Sequence, residues 1–337
     1  MNQERLENLL RTFPRLTIGL VGDLFLDRYL HLVPGCREMS IETGLEAYQV
    51  ERVRNSPGAL GTVMNNLAAL GVGLLVPVTA IGDDGHGYDL LRELRRLPTD
   101  LANVLCLTDR MTPTYTKPLR QDSQSTPEEL NRLDVRTRAP LSPAATAEIC
   151  NRLETVFRTS DGVIVLDQLV DEDCGVVNFA VRQCLEWLAT EMPQKLIFVD
   201  SRRFLDRFSV GSLKGNRSEV LAAANGGAGN DLSSALKTLA KRTGRTAYCT
   251  AGDQGIYATR PGSEPELAPA IPVTGPIDIV GAGDAATSGI VTALLAGASD
   301  WEAAFFGNLA ASITIQQLGT TGTATPAQIR QRLAEMS

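Results

Sequence analysis

Short apolar segments alternate with stretches of helical periodicity along most of this chain, and that alternation limits the folds open to it. The short runs have the length and composition of buried strands, and the longer stretches suit helices that cover a sheet. The predicted strands are Leu16–Val21, Leu74–Ile81, Val163–Leu166, Leu196–Val199 and Thr246–Thr250. The predicted helices include Val63–Leu70, Tyr88–Leu97, Ala144–Phe157, Val176–Ala189, Leu232–Lys241 and Trp301–Gln316. The sequence therefore predicts an α/β fold whose mainly parallel sheet has helices on both faces.

Several predicted strands end in glycine or aspartate. These ends are Gly22-Asp23, Gly82-Asp83-Asp84, Asp167, Asp200 and Gly252-Asp253. Because ligands of open α/β sheets bind outside the carboxyl ends of the strands, we expect these residues to surround one cleft. For Asp167 and Asp200 we favour the plainer interpretation that they form turns or cap helices.

Residues 278–284, Asp-Ile-Val-Gly-Ala-Gly-Asp, form a glycine-flanked turn that leads into an apolar helix. The free N–H groups of a first helical turn and the positive end of the helix dipole together favour a bound anion. Asp284 would repel that anion unless it had a chemical role, and the usual role is to take a proton from an attacking hydroxyl group. From this segment alone, a phosphoryl-transfer site and a simple helix cap at Asp284 are equally good interpretations.

Composition excludes several classes of function. The 337 residues are 43% hydrophobic and carry a net charge of −7, which suits one sizeable globular domain and argues against general binding to nucleic acid or membrane surfaces. The cysteines are far apart in the sequence and form no C-x-x-C pair, so we expect reduced thiols and a cytoplasmic protein. They are Cys36, Cys106, Cys150, Cys174, Cys184 and Cys249. Neither a signal peptide nor a membrane-spanning segment is expected.

Two segments, 28–56 and 105–120, are too long for ordinary strand-to-helix loops. They contain strand-like pieces at Ala47–Val53 and Thr114–Leu119, so we predict a small β-rich lid that can exclude water from the cleft. The glycine-rich segment 225–230 follows a helix-like run and is interpreted as a helix-to-helix connection. The sequence has no G-x-x-x-x-G-K-[ST] motif, which excludes a P-loop enzyme.

Motifs along nearly the whole chain resemble those of the ribokinase-type (PfkB) carbohydrate kinases. In order, they are Pro57-Gly58-Ala59, Asn216-x-x-Glu219, Thr250-x-Gly252-x-x-Gly255 and Gly281-Ala282-Gly283-Asp284. Within that family the chain is most similar to the heptose 7-phosphate kinases. The stretches that carry this finer resemblance are 21–29, Ser40-Ile41-Glu42, Asn131-Arg132-Leu133-Asp134 and Leu318-Gly319-Thr320. The resemblance implies a single ribokinase-like domain over 1–337, a three-layer sandwich with a lid.

The resemblance also implies a role for each matching residue. Asp284 would be the general base, and the N–H groups of Gly281, Ala282 and Gly283 would hold the charge of the transferring phosphoryl group. Asp27, expected at the end of the first strand, would accept hydrogen bonds from the sugar, and Gly58 would let the sugar approach the backbone. Asn216 and Glu219 would organise Mg²⁺ and its waters, although alone they match a helix capping box. The remaining implied nucleotide contacts are Thr250, Gly252, Gly255 and Asn308.

The chain departs from the family pattern at several positions. Ala59 replaces the second of two glycines and Thr62 replaces an asparagine, so the sugar pocket is altered. Ile279-Val280 replaces the threonine of the catalytic signature, which leaves the base and the anion site in place. Residues 167–171 replace an Asp-Tyr-x-Lys-Gly-like stretch, and Lys214-Gly215-Asn216 replaces the common Pro-Asn.

The expected activity is phosphorylation of a sugar or sugar phosphate by ATP with Mg²⁺, with K⁺ as a further candidate cofactor and heptose 7-phosphate as the leading acceptor. The alternatives are a kinase for another small alcohol, such as a ketose phosphate or nucleoside, and a non-catalytic sugar- or nucleotide-binding regulator. Family flaps commonly meet across a two-fold axis, so we expect a homodimer through the lid. Heptose kinases are often fused to a nucleotidyltransferase, an activity that we do not expect in this chain.

Overall fold

A computed structural model describes residues 1–121, 128–224, 231–319 and 321–336 of the chain. The predicted glycine-rich connection at 225–230 and Thr320 of the heptose-kinase-like stretch lie outside these residues. Helices cover both faces of a large sheet, and a smaller sheet extends from it. The α/β architecture with a mainly parallel sheet and a β lid is thus confirmed.

The described helices and strands are numbered here in chain order. The helices are α1 Gln3–Leu10, α2 Leu60–Ala69, α3 Gly85–Leu94, α4 Pro143–Thr159, α5 Phe179–Glu191, α6 Arg217–Ala223, α7 Leu232–Thr243, α8 Ala282–Leu295, α9 Asp300–Thr314 and α10 Pro326–Ala334. The strands are β1 Thr17–Gly22, β2 Leu24–Leu32, β3 Glu38–Met39, β4 Glu46–Ala47, β5 Val50–Ala59, β6 Leu74–Gly82, β7 Val104–Leu107, β8 Thr114–Arg120, β9 Glu128–Glu129, β10 Leu133–Val135, β11 Gly162–Asp167, β12 Leu196–Ser201, β13 Ser212–Asn216, β14 Ala247–Thr250, β15 Gly255–Thr259 and β16 Glu266–Pro269.

The central sheet has nine strands among the described residues, in the order β16-β15-β14-β13-β12-β11-β1-β6-β7. The seven strands from β14 to β7 in this order are parallel, whereas β15 and β16 run antiparallel at one edge. In the middle of the sheet Leu20 is opposite Ile164, and Val165 is opposite Val199. The carboxyl ends of the parallel strands therefore meet at one edge, as the sequence predicts.

Side chains alternate between two hydrophobic cores on opposite faces of the sheet. Along β11, Ile164 and Leu166 belong to the core that contains α8 and α9, while Val163 and Val165 belong to the core that contains α4, α5 and α7. Strands buried on both faces are nearly continuous in hydrophobic residues, which explains why their apolar runs could be located from sequence.

Strand β13 was not predicted. Its sequence, Ser-Leu-Lys-Gly-Asn, has one large apolar residue, although the strand lies between β12 and β14 in the sheet. A lysine and a glycine at its centre hide the hydrophobic pattern on which strand prediction depends. The lysine is buried there because it has an ionic partner, described below.

A second sheet, with the order β10-β8-β2-β5 and with β9 paired to β8, is called the lid here. A single residue, Asp23, separates the end of β1 from the start of β2, so the lid continues directly from the central sheet. The predicted lid strands at Thr114–Leu119 and in the second half of Ala47–Val53 are present as β8 and β5. Residues 105–107 were assigned to the lid from sequence, but they lie in β7 of the central sheet, paired with β6.

No helix among the described residues is both long and apolar enough to cross a membrane.

Candidate functional site

A cleft of about 810 Å³ opens at the carboxyl edge of the central sheet, beside the start of α8. It is called the α8 cleft here. Its polar lining contains Gln168, Asp200, Arg202, Lys214, Asn216, Glu219, Thr250, Asp253, Asp284, Asn308 and Ser312. Of the five predicted strand ends, Asp200 and Gly252-Asp253 line this cleft together with the motif that precedes α8, whereas Gly22-Asp23, Gly82-Asp83-Asp84 and Asp167 do not.

The turn before α8 presents backbone donors to the cleft. Gly281 is the N-cap residue and has a φ of 83°, a left-handed conformation that glycine adopts without strain. The N–H group of Ala282 donates to the carbonyl of Ile279 at 3.2 Å, so this predicted donor is already used within the turn. The N–H groups of Gly281, Gly283 and Asp284 have no hydrogen-bond acceptor within the described part of the chain. The turn therefore offers three free donors, two of which were predicted.

Asp284 lies in the first turn of α8 without capping it. The helix has no side-chain cap, and the Asp284 carboxylate forms no hydrogen bond with the described residues. This geometry excludes the alternative that Asp284 is only a helix cap. Burial raises the pKa of Asp284 to about 7, Asp200 adds to the shift, and Lys214 and Arg202 oppose it. A carboxyl group that titrates near neutral pH is suited to exchange a proton.

Asp200 and Lys214 form a buried ion pair below this turn. Lys214 Nζ is 2.7 Å from Asp200 Oδ2, and their side chains are 5% and 7% exposed. Asp200 Oδ2 also accepts a hydrogen bond from Thr287 Oγ1 at 2.8 Å, and Lys214 Nζ donates to the carbonyl of Gly283 at 3.3 Å. Burial alone would lower the pKa of Lys214, but Asp200 and Asp284 raise it above its usual value, so the ammonium group remains charged.

The plainer interpretation of Asp167 and Asp200 was wrong. Asp200 joins β12 and β13 to α8 through the contacts above, and Asp167 accepts a hydrogen bond from Ser201 Oγ at 2.8 Å. Burial raises the pKa of Asp167 to about 7, and the neighbouring Asp23 adds to the shift. Neither residue caps a helix, so the ends of β11 and β12 carry buried carboxyl groups rather than turn formers.

Asn216 and Glu219 form a capping box at the start of α6, as their spacing predicts. Asn216 Oδ1 accepts from the Glu219 N–H group at 3.0 Å, and Glu219 Oε2 accepts from the Asn216 N–H group at 2.7 Å. Both residues also line the α8 cleft. Burial raises the pKa of Glu219. The capping role does not exclude a ligand role, because the second carboxylate oxygen of Glu219 has no hydrogen bond with the residues described.

The other four predicted nucleotide contacts also line the cleft: Thr250, Gly252, Gly255 and Asn308. Gly252 and Gly255 have φ values of 60° and 114°, and a Cβ atom on Gly255 would be 2.2 Å from the carbonyl oxygen of Ala268. Glycine is therefore required at 255 for backbone reasons. The Asn308 amide donates to the carbonyls of Ala268 and Pro269 at 2.8 and 3.1 Å, so it fixes the end of β16 against α9.

Apolar side chains form one wall of the α8 cleft. They are Ile271, Pro272, Val273, Ile277, Ile279, Ala311 and Ile315. A flat aromatic ring would remove part of this wall from water, whereas the polar lining near Asp284 suits charged groups.

The residues predicted to bind sugar do not line the α8 cleft. Asp27 was expected at the end of the first strand, but it lies inside β2 of the lid. Its Oδ1 is 2.8 Å from Lys117 Nζ of β8, and its Oδ2 lies so close to Gly58 that a Cβ atom there would be 2.5 Å away. Tyr29 lies on the same face of β2, and its hydroxyl oxygen accepts a hydrogen bond from Lys117 Nζ at 3.4 Å. The carboxylate of Asp27 is therefore already paired with Lys117 in the lid.

Ala59 and Thr62 lie where β5 of the lid continues into α2. Ala59 is the N-cap residue of α2. Its backbone has φ 53° and ψ −116°, a conformation that residues other than glycine rarely adopt. Thr62 is buried in the first turn. Helix α2 packs on α8, and Ser288 Oγ donates to the carbonyl of Val63 at 3.2 Å and to that of Asp284 at 2.8 Å. The lid side and the α8 turn are therefore linked through these two helices.

Sequence reasoning did not assign a role to several of these polar residues. They are Lys117, Arg202 and Lys214, and Asp200 was interpreted only as a turn former or helix cap. The one available signal was Lys214-Gly215-Asn216, a departure from the common Pro-Asn that also places a charged residue two positions before a predicted ligand. Lys117 gave no signal, because its partner is far away in sequence.

Comparison with known proteins identifies the family. The family described as pfkB family carbohydrate kinase matches residues 37–328. The bifunctional protein HldE of Trichlorobacter lovleyi is 28% identical over 333 residues, which are 98% of this chain and 65% of that protein. The same-named protein of Pelobacter propionicus is 26% identical over 340 residues, 99% of this chain and 66% of that protein. This chain therefore spans slightly less than two thirds of the length of these relatives.

Solved structures show the same architecture. The ribokinase of Arabidopsis thaliana, complexed with ribose and ATP, has a TM-score of 0.65 at 18% identity and covers 94% of this chain and 98% of its own. The ribokinase of Cryptococcus neoformans var. grubii, in complex with ADP, has a TM-score of 0.63 at 18% identity and covers 94% and 99%. These similarities confirm the predicted ribokinase-like fold. Because the family match also spans most of the sequence, the chain belongs to the pfkB family of carbohydrate kinases.

Proposed function

We propose that this carbohydrate kinase transfers the terminal phosphoryl group of ATP to a hydroxyl group of a sugar or sugar phosphate, with heptose 7-phosphate as the leading acceptor. The observation that carries the proposal is the Asp284 carboxyl group. It is half-buried and free of hydrogen bonds to the described residues, and it lies beside the three free N–H groups of the turn before α8. This arrangement places a base and an anion site within one helical turn.

In this mechanism the oxygen of the acceptor hydroxyl group attacks the terminal phosphorus, and Asp284 takes the proton of that hydroxyl group. The bond between that phosphorus and the bridging oxygen breaks, and ADP leaves. The N–H groups of Gly281 and Gly283 stabilise the charge on the phosphoryl oxygens, as oriented backbone dipoles do without reorganising. The lid would exclude water, which otherwise competes with the acceptor.

ATP would occupy the α8 cleft. The apolar wall suits the adenine ring, and the polar side near Thr250, Gly252 and Asp284 suits the phosphates. Support comes from the two ribokinases described above, whose structures contain ATP and ADP. The amide of Asn308 is used by backbone carbonyls, so we propose that its contribution to the adenosine pocket is to shape it.

The residues at the N-terminus of α6 suit Mg²⁺. Glu219 has one carboxylate oxygen that accepts no hydrogen bond from the described residues, and Asn216 lies beside it in the cleft. Mg²⁺ keeps several waters and needs few protein oxygens, so we propose that these two residues hold it through water. Bound Mg²⁺ would neutralise charge on the phosphates. K⁺ remains a further candidate, supported by family resemblance alone.

The acceptor would bind between the lid and α2. Asp27, Gly58, Ala59 and Thr62 lie on this side, and Lys117 adds a positive charge next to Asp27. The HldE relatives, at 26–29% identity, support a heptose phosphate acceptor. The strained Ala59 favours the second candidate, a kinase for another small alcohol, because it alters the backbone at the sugar pocket.

We further propose that the chain forms a homodimer through the lid and works in the cytoplasm. Exposed apolar side chains on the lid support the first point, and six free cysteines support the second.

The deciding experiment is an ADP-release assay with MgATP over a panel that includes heptose 7-phosphate, free heptose, ketose phosphates and nucleosides. We expect kcat/KM to be highest for heptose 7-phosphate. A clear preference for a nucleoside or another alcohol would establish the second candidate. If none of these acceptors supports ADP release from ATP, the proposed function is contradicted.

A further inference from the structure

We propose that Lys214 is a catalytic residue, whose ammonium group donates a hydrogen bond to the phosphoryl group in transit while Asp200 holds the ammonium group in place. The inference rests on the proposed phosphoryl transfer and adds a residue to it. Nothing in the base and anion-site mechanism above requires a lysine at this position.

The first argument is the unused hydrogen-bonding capacity of Lys214. An ammonium group has three N–H donors. One is directed at Asp200 Oδ2 at 2.7 Å and a second at the Gly283 carbonyl at 3.3 Å. No third acceptor is found among residues 1–121, 128–224, 231–319 and 321–336, although Lys214 lines the α8 cleft. A ligand oxygen in the cleft can therefore take the remaining donor.

The second argument is position. A Cβ atom placed on Gly283 would be 3.3 Å from Lys214 Nζ, so the ammonium group lies directly against the turn whose free N–H groups form the anion site. Residues 214 and 216 also point to the same side of β13, because side chains alternate along a strand. Lys214 and the proposed Mg²⁺ residue Asn216 thus face the phosphates from one strand.

The third argument concerns charge. Burying an ion pair is weak evidence for a stabilising role, since well-packed apolar residues often serve as well or better. Asp200 and Lys214 are nevertheless both at most 7% exposed, in a cleft that also contains Asp284 and Glu219. The cleft is therefore acidic where it must receive a polyphosphate, and a fixed cation beside the anion site reduces the repulsion.

Asp200 has a positioning role in this proposal. Its Oδ2 atom accepts from both Lys214 and Thr287, so one carboxylate oxygen fixes the ammonium group relative to α8. Lys214 stays protonated throughout, and the proton of the acceptor goes to Asp284. The ammonium group gives the transferring oxygens a donor and takes part in no proton transfer.

The test compares Lys214→Met with the wild-type enzyme by calorimetric titration with two probes, AMP-PNP and ADP, each with Mg²⁺. Since only AMP-PNP carries the terminal phosphoryl group, we expect its affinity to fall by about 10-fold or more, while the affinity for ADP changes by less than about 3-fold. We expect kcat to fall by about 10²–10³-fold, the range for loss of one oriented donor. The acceptor KM should change little, and Lys214→Arg should restore part of kcat.

Two controls separate this role from a structural one. Lys237→Met removes an exposed lysine of α7 that pairs with Glu264, and it should leave both affinities and kcat unchanged. The double variant Lys214→Met/Asp200→Leu removes the buried pair together, so no unpaired carboxylate remains if the single variant fails to fold. Like Lys214→Met, the double variant should lose more affinity for AMP-PNP than for ADP.

Equal losses of AMP-PNP and ADP affinity, or a double variant with wild-type kcat, would overturn the role of Lys214. Wild-type protein that binds neither probe would instead overturn the proposed function, on which this inference depends.

Discussion

Asp284 combines partial burial with an absence of hydrogen bonds to the described residues, and this combination explains its chemistry. A carboxylate in such a site loses water without gaining donors, so the protonated form is favoured. The nearby cations Lys214 and Arg202 limit the shift and keep the pKa of Asp284 at about 7. The group can therefore be deprotonated at neutral pH and still accept a proton.

We predict that Asp284→Asn lowers kcat by about 10²–10⁴-fold, the usual contribution of a general base, and leaves ADP binding intact. In the wild type, kcat should rise as the pH increases through about 7, because the base must be deprotonated. The variant should lack this acid limb. A pH profile of kcat in the ADP-release assay measures both effects.

The variant should also show a stability signature. The folded state raises the pKa of Asp284 from 3.8 to about 7, so ionisation opposes folding increasingly as the pH rises across that interval. Asp284→Asn should therefore unfold at a higher temperature than the wild type at pH 8, and the difference should shrink at pH 4. The control Asp231→Asn, at the true N-cap of α7, should change neither kcat nor its pH profile. A kcat for Asp284→Asn within a few-fold of wild type would contradict the mechanism.

Residues with local signals could be found from sequence, and residues defined by tertiary contacts could not. Asp284 follows two glycines at a helix start, and Asn216 and Glu219 have capping-box spacing, so each has a pattern of its own. Lys117 and Asp200 become functional candidates only through partners on other elements. A sequence pattern contains no information about such a partner unless the fold is already known.

The junction of β5 and α2 shows the same limit at the scale of elements. The sequence indicates that Ala59 replaces a glycine, but the physical consequence is visible only in the backbone. With φ 53° and ψ −116°, Ala59 occupies a region that glycine tolerates and alanine does not. The strain lies beside Asp27 and Gly58 of the proposed acceptor site.

We predict that Ala59→Gly stabilises the protein by about 1 kcal/mol, because relief of backbone strain exceeds the added entropy of the unfolded chain. Urea unfolding measures the change. The matched control is Ala147→Gly in the exposed face of α4, which should destabilise by about 1 kcal/mol. Destabilisation by both changes would show that position 59 is unstrained. Combined with Thr62→Asn, the change should also shift the acceptor KM, since it alters ground-state contacts.

Element prediction succeeded where hydrophobic periodicity was strong and failed where an ionic contact or a sheet edge determined the strand. The central strands β1, β6, β11 and β12 are continuous apolar runs and were located within one or two residues. β13 was missed because Lys214 is buried by its pairing with Asp200. Residues 105–107 of β7 were assigned to the lid because the whole segment 105–120 is too long for a strand-to-helix loop, although these residues pair with β6 at the edge of the central sheet.

At the scale of the whole molecule, the lid has one face that α3 covers in part, where Arg28 of β2 pairs with Asp89, while apolar side chains elsewhere on that face remain exposed. Alternation along β2 and β5 places Asp27 and Tyr29 on one face and Leu30 and Val53 on the other. Leu133 of β10 shares the second face, where it is 66% exposed, and Val53 of β5 is 44% exposed there. Apolar surface of this kind is uncommon on monomers and often marks an interface.

We predict a symmetric dimer in which this second face meets its copy, because a two-fold contact covers the same patch on both chains. Sedimentation velocity at micromolar concentration should show a dimer, and Leu133→Asp with Val53→Asp should give monomers by placing charges opposite one another across the axis. The control Leu267→Asp alters a partly exposed leucine of β16 outside the lid and should remain dimeric. Because the paired faces would also hold each lid over its acceptor, the monomeric variant should have a higher acceptor KM and an unchanged ADP affinity. Wild-type protein that sediments as a monomer with full kinase activity would refute the paired lid.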